Sequence, residues 1–164
     1  MIMKLPRRFV PENLNPDDEK KTSELYRSLL LRDVPAAATP LRDWILDWSE
    51  LNSVLGEVSC RRYVAMTCDT KDQKAAKAYA DFVENIQPVI NEYDDKLNKK
   101  LMAHPAKNEL KGEFGEWFKG VQVSLDLFSP DNIPLETEEN KEIQAYQKIT
   151  GGMSVEFEGK TQTM

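Results

Sequence analysis

A run of apolar residues between Thr70 and Leu101 constrains this chain more than any other stretch. Tyr79, Phe82, Val83, Ile86, Val89, Ile90, Tyr93, Leu97 and Leu101 recur at steps of three and four. A helix turning every 3.6 residues gathers such a set into one stripe. The spacing predicts one long helix, about 45–50 Å from end to end. Its start carries a capping box, in which Thr70 accepts from the backbone N–H of Gln73 and the Gln73 side chain reaches back. Pro88 has no N–H to give the Glu84 carbonyl, so a kink is expected between Glu84 and Pro88. A rod that is apolar along one side needs a cover, and the flanking sequence supplies it.

On the N-terminal side, Met1 to Asn15 reads as an extended arm pinned by Phe9, Val10 and Leu14. Asn15-Pro16-Asp17-Asp18 starts a helix that runs to about Arg32: a cap, proline in the first turn, then acids at the positive end of the dipole. Leu25, Tyr26, Leu29 and Leu30 face inward. Thr39-Pro40 opens a second helix with Leu41, Trp44, Ile45, Trp48, Leu51 and Leu55 on one face, which reads as core packing. Gly56 is expected to end or bend it. Glu57 to Thr67 is a further helical segment with Val58, Tyr63, Val64 and Met66 as candidates for burial.

On the C-terminal side, His104-Pro105 ends the rod. Ala106 to Phe128 returns as an antiparallel partner carrying Leu110, Phe114, Trp117, Phe118, Val121, Leu125 and Phe128. Gly112, Gly115 and Gly120 either let two backbones approach closely or mark soft spots in it, softness being the plainer reading. After a turn at Ser129 to Pro134, a short helix starts at Thr137, carries Ile143, Tyr146 and Ile149, and is capped by Gly151-Gly152. Met153, Val155 and Phe157 then alternate with polar residues, which is strand spacing. Glu158-Gly159 makes a two-residue turn and Lys160 to Met164 a return strand. The expected class is mostly α: an antiparallel bundle of helical hairpins around a long helix, with a C-terminal β-hairpin.

The chain has 164 residues, 40% hydrophobic and 30% charged, enough for one domain with a real core. Its net charge of −6 disfavours nucleic acid, whose phosphates need Lys and Arg. The basic pairs Arg7-Arg8, Lys20-Lys21, Arg61-Arg62 and Lys99-Lys100 are interleaved with acids and read as solvated faces. No stretch approaches the roughly 18–20 apolar residues of a membrane span. Met1 to Pro11 has no signal-peptide core. Cys60 and Cys68, about 12 Å apart along one helix, are too distant for a disulfide and read as free core thiols of a reducing cytoplasm.

The chemistry available is sparse. His104 is the one histidine, whereas a hydrolytic zinc site needs about three protein ligands. Cys60, Cys68 and His104 do not form a credible trio. HExxH, CxxC, GxSxG, the P-loop and GxGxxG are all missing. The carboxylate pairs Asp94-Asp95 and Glu138-Glu139 read as solvated charge. No catalytic, cofactor-binding or metal-binding residue is assigned.

The order of several short runs adds what spacing does not. These are Arg7-Arg8-Phe9-Val10-Pro11, Asp47-Trp48-Ser49-Glu50-Leu51, Arg61 to Thr70, then Tyr79, Phe82 to Ile86 and Pro88. Leu127-Phe128, Asn132 to Leu135, Tyr146 to Ile149 and Met153 to Gly159 follow. The series resembles the N-terminal part of oligoendopeptidase F-type zinc peptidases of the thimet oligopeptidase superfamily, from Arg7 to Gly159. The resemblance implies a cytoplasmic, mostly helical metalloendopeptidase that cuts short peptides inside a deep channel. The N-terminal helices form a wall of that channel, and zinc is held farther along by HExxH and a downstream Glu. No position here matches those residues. The expectation is a non-catalytic wall over residues 1–152 and a hairpin over 153–164 leading into a catalytic domain absent from the chain. That domain would be the partner, and zinc would belong to the full-length protein. A free-standing interaction module derived from such a peptidase is the alternative.

Overall fold

The structure, a computed structural model, describes residues 6–163, so the expectations for residues 1–5 and Met164 lie outside the described residues. The elements are α1 (Glu19–Leu31), α2 (Ala38–Cys68), α3 (Gln73–Asn85), α4 (Gln87–Ala103), a 3-10 helix (Pro105–Leu110), α5 (Lys111–Leu127), α6 (Asn132–Gly151), β1 (Ser154–Phe157) and β2 (Lys160–Thr163). The class is as expected: mostly helical, closing on an antiparallel two-stranded hairpin.

The long helix is not the one the apolar stripe suggested. α2 runs unbroken for 31 residues, about 46 Å, and passes straight through Gly56. Burial of Leu51 and Leu55 before it and of Met66 after it outweighs the roughly 1 kcal/mol that a mid-helix glycine costs. The Thr70–Leu101 stretch is instead two helices parted at Ile86, which has φ −102° and ψ −42°. Pro88 lies in the first turn of α4, where its missing N–H has no intrahelical partner to lose. The expected kink is thus a break. Thr70 does not cap α3; the Asp72 carboxylate does, accepting from the N–H groups of Lys74 and Ala75 at 2.8 and 3.1 Å.

Other starts shift in the same way. Asp18 caps α1 by accepting from Lys21 N at 3.0 Å. Asn15 accepts from Asp17 N at 3.2 Å in a turn that precedes the helix. α6 begins at Asn132, five residues before Thr137, with Pro134 in its first turn. Cys60 and Cys68 are free but exposed, so they are not core thiols. Val64 is exposed as well. Gly112, Gly115 and Gly120 meet no neighbour that a Cβ would touch, so they do not serve a close approach of two helices.

The core is the expected one elsewhere. Tyr26, Leu29, Trp44, Trp48, Leu51, Leu55, Phe82, Ile86, Leu97, Leu101, Phe118 and Val121 pack into a single cluster. α2 lies against α1, α3 and the 3-10 helix, and α4 against α1, α3 and α5. Trp44 and Trp48 have ring centroids 5.5 Å apart, and Trp117 adds a third ring 5.6 Å from Trp48.

The N-terminal arm is latched by one carboxylate. Glu50 accepts from the backbone N–H groups of Arg8, Phe9 and Val10 at 2.9, 3.2 and 2.8 Å, which seats Val10 in the core. Burial disfavours the ionised Glu50, but the bonds from Val10, Arg8 and Phe9 outweigh it and hold its pKa below the ordinary glutamate value. A depressed folded pKa adds stability above the ordinary range and loses it as pH falls through the folded value. Glu50→Gln should therefore cost about 1–2 kcal/mol at neutral pH. The difference from the parent should shrink on acidification, read by urea denaturation at a series of pH values.

Candidate functional site

The sequence runs that carried the resemblance meet in pairs, and the pairs are clasps. Arg8 Nε lies 2.7 Å from Asp47 Oδ1, while Arg32 Nη1 lies 2.6 Å from Asp47 Oδ2 and its guanidinium sits 5.3 Å from the Phe9 ring centre. The arm, the end of α1 and α2 are thereby joined through Asp47, which is buried. In the second clasp Arg62 donates to the Asp17 carboxylate at 2.6 and 3.0 Å and to Ala78 O at 3.1 Å. It also lies over Phe82 at 5.6 Å, and Tyr63 meets Tyr79 edge-on. Arg62, expected as solvated charge, is largely buried, whereas Arg8 stays exposed to solvent while it pairs with Asp47. For the first clasp a signal was present, since Asp43, Asp47 and Glu50 form a polar row beside the Trp stripe.

A buried polar chain crosses the bundle. The Tyr26 hydroxyl donates to Asn52 Oδ1, and Asn52 Nδ2 and Trp48 Nε1 donate to Asp94 Oδ1 at 3.1 and 2.9 Å. Burial, helped by the Asp94 charge, pushes the Tyr26 pKa up. Burial also raises that of Asp94, against the bonds from Asn52 and Trp48. Asp94 and Asp95 are not the solvated pair expected, and Asp95 is 8% exposed. The chain ties α1, α2 and α4 together.

The part of the molecule left open is α6. It has no buried residue. Its inward side is polar: Gln144 donates to Ala76 O at 3.0 Å, Gln147 to the Tyr63 hydroxyl at 2.7 Å, and Lys141 pairs with Glu84 at 3.3 Å. Gly151 lets the helix end rest on Thr70, where a Cβ would lie 2.7 Å from the threonine methyl. Between α6 and the α2–α3 corner lies a groove of about 560 Å³ floored by Met66, Ala76, Ala80 and Ala145. The apolar residues of α6 point the other way: Leu135 is 65% exposed, Tyr146 66% and Ile149 68%. Met153, Val155 and Phe157 extend this surface onto the hairpin. The helix is amphipathic but inside out. The turn after β1 places Glu158 at φ 51° and Gly159 at φ 74°, the two-residue hairpin geometry expected from Glu-Gly.

Among the described residues no three His, Cys, Asp or Glu side chains come together to hold a metal ion. Both nitrogens of His104 are occupied: Nε2 donates to Val34 O at 3.1 Å, and Nδ1 accepts from Ala106 N at 3.3 Å. Cys60 and Cys68 lie on α2 and do not approach it. Among the described residues, His104 therefore has no pair of His, Cys, Asp or Glu side chains with which to share an ion. No helix of the described residues is long and apolar enough to cross a membrane.

Fold and surface define a mostly helical domain with an exposed apolar face on α6. The family model of the Peptidase M3 N-terminal domain matches residues 12–128, and the chain belongs to that family. No curated protein and no solved structure matches. The matched range spans α1 through α5; α6 and the hairpin follow it. Residues 12–128 thus correspond to the N-terminal domain of M3 peptidases.

Proposed function

We propose that this chain is the channel wall of an oligoendopeptidase-type zinc metalloendopeptidase of the cytoplasm. Residues 1–152 form the wall, and residues 153–164 lead toward the catalytic domain, which supplies the zinc and the HExxH general base. The observation that carries this reading is the inverted α6. A helix that turns its polar side to its own bundle and its apolar side to solvent is built to be covered. The partner is the catalytic domain, and the oligopeptide substrate lies between the two.

The test mixes the purified chain with the separately produced catalytic half of an M3 peptidase. Alone, with zinc added, the chain should leave a quenched oligopeptide uncut. With the catalytic half it should form a one-to-one complex that cuts, and chelator should stop the cutting. Tyr146→Asp with Ile149→Asp should weaken the complex by about 30-fold or more, as expected for two truncated anchors in one interface. Chelator-sensitive cleavage by the chain alone would overturn the proposal. So would a complex indifferent to both substitutions. Selective binding of an unrelated protein to the α6 face would favour the free-standing module instead.

A further inference from the structure

We infer that the groove between α6 and the α2–α3 corner binds a linear fatty carboxylate, with its hydrocarbon chain on the apolar floor and its carboxylate at Lys148. The groove holds about 560 Å³, a volume usual for small-molecule sites. It lies on the opposite side of α6 from the face assigned above to the catalytic domain. Alanines create it. Gln73, Ala76, Lys77 and Ala80 of α3 line one wall at i, i+3, i+4 and i+7, and Lys141, Gln144, Ala145 and Lys148 of α6 line the other at the same spacing. The two helices are tied but not packed. Gln144 and Lys141 reach across to Ala76 O and Glu84, yet α6 buries no residue, and Met66 of α2 forms the bottom. An apolar body lying there supplies the layer that the side chains of α6 do not.

Shape and charge together select the occupant. The α6 wall runs from Lys141 to Gly151, about 15 Å of helix. One end is bounded where the Gly151 backbone rests on Thr70, the other where Lys141 bridges to Glu84 at 3.3 Å. A trough bounded at both ends suits a short rod better than a polypeptide passing through. At roughly 1.25 Å per carbon along a zigzag of C–C bonds, a chain of about ten carbons spans it. Three lysines and no carboxylate line the groove. Lys77 is paired with Asp81, and Lys141 with Glu84 and Glu138. Lys148 is exposed and has no carboxylate partner among the described residues, so its charge is free for a ligand. A lysine stem covers apolar surface while its ammonium stays in water, which matches the junction between a hydrocarbon chain and a carboxylate. An organic cation meets no counter-charge in this groove, and a neutral lipid leaves Lys148 unused.

The Met66 methyl group, at the bottom of the groove, reports on binding. Its NMR signal is followed while the full chain is titrated, below micelle-forming concentrations, with decanoate, octanoate, octan-1-ol, octyltrimethylammonium and the free-acid peptide acetyl-Ala-Leu-Leu. Decanoate should give a saturable shift at one site per chain. Octanoate, two methylenes shorter, should bind about tenfold more weakly. Octanol should bind about fivefold more weakly than octanoate, and the ammonium more weakly still. Ala145→Phe fills the groove and should abolish the shift. Lys148→Met keeps an apolar stem on an exposed position, so it decides the matter if the first variant does not fold. It should weaken octanoate about fivefold and leave octanol as it was. Equal affinity for octanoate, octanol and the ammonium would mark a surfactant on an apolar face and would overturn the site. No saturation by decanoate, decanoate binding kept in Ala145→Phe, octanoate unaffected by Lys148→Met, or acetyl-Ala-Leu-Leu saturating at lower concentration than decanoate would do the same.

Discussion

Trp44→Ala should destabilise the chain by about 3–5 kcal/mol, read from the urea midpoint and the near-ultraviolet circular dichroism. Trp44 is 1% exposed and packs on Trp48. Its Nε1 donates to Leu29 O at 2.9 Å, which ties α2 to the last turn of α1. Removing the ring leaves a cavity that α1 and α2 cannot both close, since each is held elsewhere by the Asp47 clasp. Trp44→Phe separates the contributions. It keeps most of the apolar volume and loses the N–H, so its cost should be near 1 kcal/mol. Equal losses in the two variants would show that the hydrogen bond, not the packing, carries the effect.

Lys100→Met should cost about 2 kcal/mol, as the loss of a charged donor to buried carbonyls predicts. Lys100 stands on α4, yet its ammonium caps α1, donating to the carbonyls of Leu29, Leu30 and Arg32 at 3.2, 2.8 and 2.5 Å. These are among the carbonyls that a helix end leaves without partners. Its cation also lies 5.4 Å from the centre of the Trp44 ring. Burial, and then the neighbouring Arg32 charge, lower the Lys100 pKa. A lowered folded pKa means that the unfolded chain binds the proton more tightly, so this group's contribution rises with pH toward the ordinary lysine value. Because Trp44 and Lys100 share Leu29 O and touch each other, the double variant Trp44→Ala, Lys100→Met should lose less than the sum of the two. Additive losses measured in urea would contradict the shared contact.

Much of the bundle is readable from periodicity. The Trp stripe of α2, the inward face of α1 and the return of α5 all follow from the spacing of large apolar residues. The helix ends do not, because caps compete locally. Asp72 and Asp18 won over Thr70 and Asn15, and the sequence contains all four. Gly56 shows the opposite failure, a local breaker overruled by burial around it. The Arg62 clasp was hidden because an arginine beside an acid looks the same whether it is solvated or buried. Arg62 and Lys100 are set apart only by what the fold brings to them, Asp17 and the end of α1. The open face was the least legible. Ile143, Tyr146 and Ile149 have the spacing of a buried stripe, and nothing in the spacing tells whether the cover lies in the same chain.

The hairpin turns that exposed face into something that can be observed. β1 is exposed at all four positions, and among the described residues neither strand has a neighbour on its outer edge. Its outward amides depend on water alone and should trade hydrogen for deuterium almost as fast as an unstructured peptide. When a third strand or a flat protein surface settles against that edge, the same amides should slow by orders of magnitude while those of α2 stay as they were.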